Sequence, residues 1–407
     1  MEEARAILGS EFHCEFTEGH RYLGGFLGTQ PTFDEWLAPK IQEWVAGIEK
    51  LARIATRYPQ SAYAALTKSL QMQWQHTQRV NPSCSAKLAP LEHALHKTFL
   101  PALLQEDSIS NDFRQQLALP VKQGGIGIPN PVTTANGRYS DSVTCTRKLT
   151  QSLLETTPEP FDVRDYKSDC SSKRHAASKS REKANESTIT TLANKLQLPE
   201  RRRFLRSVDK AKQTGNWLTV TPDFQNGTDL TANEFRDSLR MRYNLIPHHL
   251  PHKCDGCKET FTVQHDMTCH KGGFISIRHN ELADEWSDLC SKAFKSHNVR
   301  DEPLIHSGRG PVMTQTASGT TEAPPETRGH VAVPGVFERS VTKILDISDI
   351  DCPTYRGQDP AKVLAGWGKA KKSKHLQASW LNAAPSPLLP FPLMAYGVLK
   401  PTPPVSS

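Results

Sequence analysis

At 407 residues the chain is longer than one average core supports, so two or three domains are expected. A hydrophobic fraction of 37% with 29 prolines predicts sizeable loops, and a net charge of +7 favours an anionic polymer as partner. No run approaches the roughly 18 apolar residues of a membrane helix, and Met1-Glu2-Glu3 is acidic where a secretory leader is basic.

In chain order, a short helix-like start (Glu2 to Leu8) leads into Arg21–Gly28, an apolar run punctuated by glycines that reads as a buried strand or hairpin. Leu37, Ile41, Trp44, Ile48 and Leu51 then recur at helical steps, in a helix opened near Thr32 or Asp34 and stopped before Pro59. Tyr63, Leu66, Leu70 and Trp74 mark a second helix. Leu88, Leu91, Leu95 and Phe99 mark a third, ending before Pro101. Residues 118–131 predict a Gly/Pro-rich turn around a short strand, and 132–155 a further helix.

Residues 156–200 are rich in Ser, Lys and Glu with little periodicity and predict a basic polar linker with partial helix. Basic residues outnumber acidic ones between Arg164 and Lys212, most densely at Lys173-Arg174 and Arg201-Arg202-Arg203. Turns between short strands are expected around residues 214–218 and 226–228. Thr231 or Asn233 caps a helix through Phe235 and Leu239 that runs into Pro247 and Pro251.

The next stretch, Lys253 to His279, carries Cys254, Cys257, His265 and Cys269, spaced C-x2-C-x7-H-x3-C. These are four ligands at spacings that tetrahedral zinc accepts. Asp255-Gly256 suits a tight turn, glycine tolerating positive φ, and His265 and Cys269 share one face of a short helix. His270 is an alternative for the last position. A closed four-ligand set has no open position, so zinc here is structural. The bland alternative is two buried cysteines, an odd thiol and a surface histidine. The remaining cysteines, at 14, 84, 145, 170, 290 and 352, are scattered singly, which fits a reducing compartment.

Beyond the cluster, residues 280–296 predict a helix with Leu282, Trp286, Leu289 and Phe294 inward. A polar loop follows over 311–327, then strands at 330–333 and 343–350, a Lys-rich helix at 361–381 and a Pro-rich tail. Strands carrying acids between two helices are the ingredients of a small α/β nuclease core, in which carboxylates hold Mg²⁺ and a lysine steers water. Asp346 lies mid-run in KILDIS and is a candidate metal ligand, with a salt bridge to Lys343 or Arg339 as the alternative. Lys369, Lys371, Lys372 and Lys374 could supply the ammonium or form a solvated face. Arg278-His279 could touch phosphate or serve helix-start charge chemistry.

On these blocks the chain resembles the C-terminal part of non-LTR retrotransposon reverse transcriptase polyproteins. RYLGGFLG, PLEHALHKTFLPALL and LALPVKQGGIGIPNP resemble the palm end and helical thumb. The Cys254–Cys269 knuckle resembles that family's CCHC zinc knuckle. RHNELADE, RGHVAV, KILDIS and KKSKH resemble its restriction-like endonuclease blocks, of the PD-(D/E)xK group. The likeness implies an α+β multidomain protein: a thumb-like helical domain at 1–155, a linker at 156–200, a connecting helical and turn segment at 201–252, the knuckle at 253–279, an endonuclease domain at 280–385 and a tail at 386–407.

It also implies Asp346, Lys371 and Lys374 as catalytic residues, and Cys254, Cys257, His265 and Cys269 as zinc ligands. Arg201, Arg202, Arg203, Arg278 and His279 would be the nucleic-acid contacts. The paired polymerase aspartates are missing, the chain beginning beyond them, and His330 stands where the first nuclease aspartate is expected. Imidazole binds hard Mg²⁺ poorly.

The expectation is therefore a fragment that binds structural zinc and DNA and/or RNA, with a degenerate nuclease fold; Mg²⁺ enters only if the nuclease works. The alternatives are an active DNA-nicking endonuclease and a cellular zinc-binding adaptor acting through Pro-rich ends. No membrane or small-molecule cofactor is expected, and the location expected is intracellular and nuclear.

Overall fold

The apolar stripes at helical spacing collapse into a helical core. The structure is a computed structural model that describes residues 17–154, 161–209, 214–271, 274–294, 299–306, 327–328, 330–334, 342–345, 366 and 369–370. It divides into two compact units, Met1–Leu245 and Ile246–Ser407. The broad class is α+β, mostly helical with small antiparallel sheets. Among the described residues no helix is long and apolar enough to cross a membrane.

The first unit opens with a hairpin, Gly19–Tyr22 against Gly25–Gly28. Its two turn residues, Leu23 and Gly24, both have positive φ (46° and 80°), the conformation a tight two-residue hairpin requires. A Cβ on Gly24 would also sit 2.9 Å from His76 Nε2, so glycine is needed there for space as well as for φ. Asn81 Oδ1 accepts from Phe26 N at 3.0 Å and pins the hairpin to the helices.

The Gln30–Ala55 helix follows, entered through Thr29 and Pro31 rather than Thr32 or Asp34. It buries Leu37, Ile41, Trp44 and Ile48. Tyr63, Leu66 and Trp74 pack on the same core from a helix that runs Pro59–Ala65, widens into a π turn at Leu66–Leu70 and resumes at Gln71–Val80. The third helix also widens, at Leu95–Phe99, and then continues through Pro101 to Leu104 instead of stopping ahead of it. Widening the turn makes room for the proline ring, which has no N–H to offer. The helix ends at Gln105 with φ 57°.

Three sequence expectations are corrected in this unit. Residues 118–131 hold a 3-10 turn at Val121–Gln123 and irregular backbone, not a strand. The buried Ile126 and Ile128 are anchored there by Ile126 N to Leu117 O (3.1 Å) and by the Tyr63 hydroxyl. The expected strands near 214–228 are likewise a 3-10 turn, Asn216–Thr219, and a loop. Within 156–200, the stretch read as a linker holds a helix of 33 residues, Val163–Lys195.

That helix has no proline or glycine, and Asp162 caps its first turn by accepting from Arg164 N (2.8 Å) and Asp165 N (3.4 Å). It is polar on nearly every face, and exposed ion pairs link it to other helices: Lys148 with Asp165, Arg181 with Asp141, and Lys195 with Asp112. Its last turns bury Ile189, Leu192 and Ala193 with Leu119 and Phe204.

The first compact unit runs on to Leu245, and the Ala232–Arg242 helix explains why. It starts at a capping box in which Thr231 and Glu234 satisfy each other's backbone N–H. Phe235 packs on Tyr63 and Trp217. Two of its arginines take carbonyls at helix ends, Arg236 those of Ala55 and Thr56 and Arg240 that of Leu104 (2.8 Å), while Arg242 adds a second donor to the Val121 carbonyl (3.2 Å). Residues up to Leu245 thus belong to the helical unit.

The second unit has a three-stranded antiparallel sheet with Val331–Pro334 in the centre, flanked by Arg300–Asp301 and Thr342–Leu345. Val331, Ala332 and Val333 are all buried, as a central strand covered on both faces requires. The Phe274–Phe294 helix lays Trp286, Cys290 and Phe294 on it. Cys290, four residues from each aromatic, takes the inward place expected of Leu289, which is 52% exposed. A second small sheet pairs Leu304–His306 with Thr327–Arg328.

Candidate metal centre

The centre is built by a short hairpin-like turn and one turn and a half of helix. Lys253 and Thr260 form an antiparallel bridge, tightened by Cys254 N to Glu259 O (2.9 Å) and Phe261 N to His252 O (3.1 Å). Between them the chain reverses so that Lys258 N reaches Cys254 O at 2.8 Å. The left-handed residue of this reversal is Lys258 (φ 65°), not Gly256 as the sequence suggested. The bend that aims the second thiol comes just after Cys257 rather than between the cysteines.

Thr262 then caps the Val263–Thr268 helix, its hydroxyl accepting from His265 N at 2.9 Å. Cys269 closes the helix with its N–H on His265 O (2.8 Å), which sets His265 and Cys269 one turn apart on one face.

Both pieces aim at one point. One ligand atom each from Cys254, Cys257, His265 and Cys269 lies within 4.8 Å of the others. Cys254 Sγ and Cys269 Sγ are 3.7 Å apart, and Cys257 Sγ is 3.1 Å from His265 Nε2. Two thiolates on tetrahedral zinc, at about 2.3 Å each, stand about 3.7 Å from one another. The group can therefore hold a zinc ion, with Nε2 as the imidazole ligand. Cys269, not His270, fills the fourth place.

Cys254 and Cys269 are buried while Cys257 and His265 are half-buried, so an ion here is largely shielded from water. Glu259 Oε2 stands 3.8 Å from His265 Nδ1, an ion-pair distance from which it can orient the ring.

The electrostatics suit a cation. The backbone N–H of Cys257 and then His265 hold the Cys254 thiol down at about 6, which keeps it ready as thiolate. The N–H of Glu259 acts the same way on Cys257. Burial and the neighbouring sulfurs of Cys254 and Cys269 outweigh it and push that thiol up. Asp266 beside His265 is pushed up by burial, against the pull of Arg278 and His265.

The other sequence-derived candidates are placed as follows. Asp346, Lys371 and Lys374 lie outside the described residues. Arg201 is half-buried on the Leu198–Asp209 helix with Arg202 and Arg203, whose side chains are outside the description. Arg278 and His279 lie in the Phe274–Phe294 helix.

A contact that sequence reasoning missed joins His279 to His330, Nε2 to Nε2 at 2.7 Å with the rings edge-on. One imidazole donates and the other accepts, which fixes opposite tautomers. The signal available was that both histidines fall in blocks already singled out, RHNELADE and RGHVAV. No family model and no curated protein matches this chain.

Proposed function

We propose that this chain is a zinc-stabilised nucleic-acid-binding part of a reverse transcriptase of the non-LTR retrotransposon kind, whose endonuclease fold is degenerate. The observation that carries the reading is the convergence of Cys254, Cys257, His265 and Cys269 on one point. A closed set of four protein ligands folds its segment and activates no water.

Support for nucleic acid as the partner comes from the net charge of +7 and from the basic residues at Arg201–Arg203 and Arg278-His279. Support for a degenerate nuclease comes from position 330, where an imidazole stands in place of a carboxylate and its Nε2 faces His279.

The test is cleavage of supercoiled plasmid by the zinc-loaded chain with Mg²⁺ or Mn²⁺, alongside a gel shift at low salt. The expected result is a shift without nicking by the wild type, with nicking restored by His330→Asp. Nicking by the wild type that Asp346→Ala abolishes would establish an active DNA endonuclease instead. Neither a shift nor nicking would leave a zinc protein with no nucleic-acid role.

A further inference from the structure

The Pro131–Leu154 and Val163–Lys195 helices pack along each other, and both are polar over most of their length. Between residues 136 and 154 the first helix buries a single side chain, Cys145. Between 163 and 188 the second also buries a single one, Cys170. Two ion pairs frame them, Asp141 with Arg181 on one side and Lys148 with Asp165 on the other. The helices therefore run antiparallel. Climbing from Asp141 to Lys148 on one while descending from Arg181 to Asp165 on the other brings Cys145 level with Cys170. Cys145 is one turn from Asp141 and one from Lys148, on the face that makes both pairs. Cys170 lies three turns before Arg181 and shares its face.

The two thiols feel each other. Burial first, then the charge of Cys170, push the Cys145 thiol up against the pull of Arg174. The other described cysteines outside the metal centre, Cys84 and Cys290, sit singly in apolar cores. A small filler at a helix crossing needs no sulfur, since alanine packs there as well. Cysteines that make up the whole buried content of one crossing, one from each helix, are what a cross-link needs.

We infer that Cys145 and Cys170 are a redox-sensitive pair that closes to a disulfide under peroxide and staples the two helices together. Cys145 is 8% and Cys170 6% exposed, and the seam beside them is held by exposed ion pairs, which contribute little. Local opening of that seam admits the oxidant. The Cys145 sulfur attacks one oxygen of hydrogen peroxide, the O–O bond breaks, and the departing hydroxide takes the thiol proton as water. This leaves a sulfenic acid on Cys145. As the seam recloses, the Cys170 sulfur attacks the Cys145 sulfur, the S–O bond breaks, and the hydroxyl leaves with the Cys170 proton as a second water. Two thiols and one peroxide thus give one disulfide and two waters, the sulfurs losing two electrons to the peroxide oxygens. Two equivalents of a small thiol reverse the bond by exchange and end as their own disulfide.

The test uses the full zinc-loaded chain, reduced, freed of reductant, treated with hydrogen peroxide and quenched with N-ethylmaleimide. Trypsin places Cys145 in Tyr139–Arg147 and Cys170 in Ser168–Lys173, each peptide holding one cysteine. Mass spectrometry should find these two peptides joined, and separated again by a thiol. This readout is made on the wild type, so it stands whether or not a variant folds.

A second readout is the melting temperature. After the same peroxide treatment, the wild type should melt roughly 5–10 °C above Cys145→Ala and Cys170→Ala, beyond any difference between the reduced proteins. Far-UV circular dichroism confirms that the variants are folded. Recovery of both peptides capped by maleimide, at every peroxide dose that leaves the chain folded, would overturn the pairing. So would either cysteine joined mainly to a third. Joined peptides with no gain in melting temperature would mean that the bond forms only in a distorted seam, and would overturn the staple.

Discussion

The Tyr63 hydroxyl donates to the main-chain carbonyl of Ile126 at 2.7 Å, linking residues 63 positions apart in the buried interior of the helical unit. Ile126 lies in the glycine-punctuated stretch that forms no strand, so this bond stands in for a ladder. Close by, Leu119 O approaches so near to Gly125 that a Cβ there would meet it at 1.9 Å. Tyr63→Phe keeps the packing and strips the carbonyl of its tyrosine partner. The expected loss is about 1–2 kcal/mol, read as a lower denaturation midpoint at unchanged m value. A loss below a few tenths would mean that another donor replaces the phenol.

Two phenols, the buried Tyr63 and the half-buried Tyr243, set an alkaline limit. Burial pushes Tyr63 well above the ordinary phenol value, with Tyr243 adding to it, and burial pushes Tyr243 up to about 12 from 10.0. Above pH 10 the unfolded chain gives up these protons while the folded chain keeps them, so stability falls as pH rises. It is intact below about pH 10 and declines toward pH 12. Tyr243→Phe should flatten that decline by on the order of 2 kcal/mol. Equilibrium unfolding followed from pH 8 to 12 checks it, and parallel curves for the two proteins would refute it.

Arg114 is gripped on three sides. Its Nε and Nη2 take the two oxygens of Glu92 at 2.8 Å each, and Nη1 takes Ile128 O at 2.9 Å. Removing one partner leaves the other charged in a poorly solvated place. Arg114→Met and Glu92→Leu are each expected to cost about 3–5 kcal/mol, and the double variant less than their sum. Additive losses in the double-mutant cycle would show that the fork geometry contributes nothing.

At the metal centre, Cys257→Ser or a chelator should expose the backbone amides of Cys254, Lys258 and Cys269, whose bonds close the ligand turn and helix. Hydrogen exchange at those amides is the readout, and protection unaffected by chelator would rule out zinc-dependent folding. Glu259→Gln is expected to weaken zinc binding by no more than about tenfold, because an exposed carboxylate orients the ring only loosely. Competition with a zinc dye measures it.

Legibility in the sequence followed periodicity. The stripes through Leu37, Ile48, Leu66 and Trp74 placed the helical core, because a buried face repeats whatever its partner is. The four metal ligands were legible because coordination fixes their spacing. The Val163–Lys195 helix was not legible by that route. Nearly all its faces are polar and its apolar anchors, Ile189, Leu192 and Ala193, are confined to the last turns, so only the lack of proline and glycine marked the rest. The roles of Arg236 and Arg240 were hidden for a similar reason: a guanidinium that meets a helix end reads in sequence like any surface charge. The meeting of His279 with His330 depends on how the Phe274–Phe294 helix seats on the central strand, which no local pattern encodes.

The π turn at Leu66–Leu70 carries one residue more than the straight helix needs. Elsewhere in a helix, losing a residue swings everything downstream by about 100° and carries its apolar side chains away from the core. Here the swing is already taken up. Excision of Ser69, which is exposed and makes no side-chain bond among the described residues, would let the segment relax to regular α-helix with Tyr63 and Trp74 still facing the same neighbours. This turn is a place where the chain length of the helical unit can change by one without re-threading its interior.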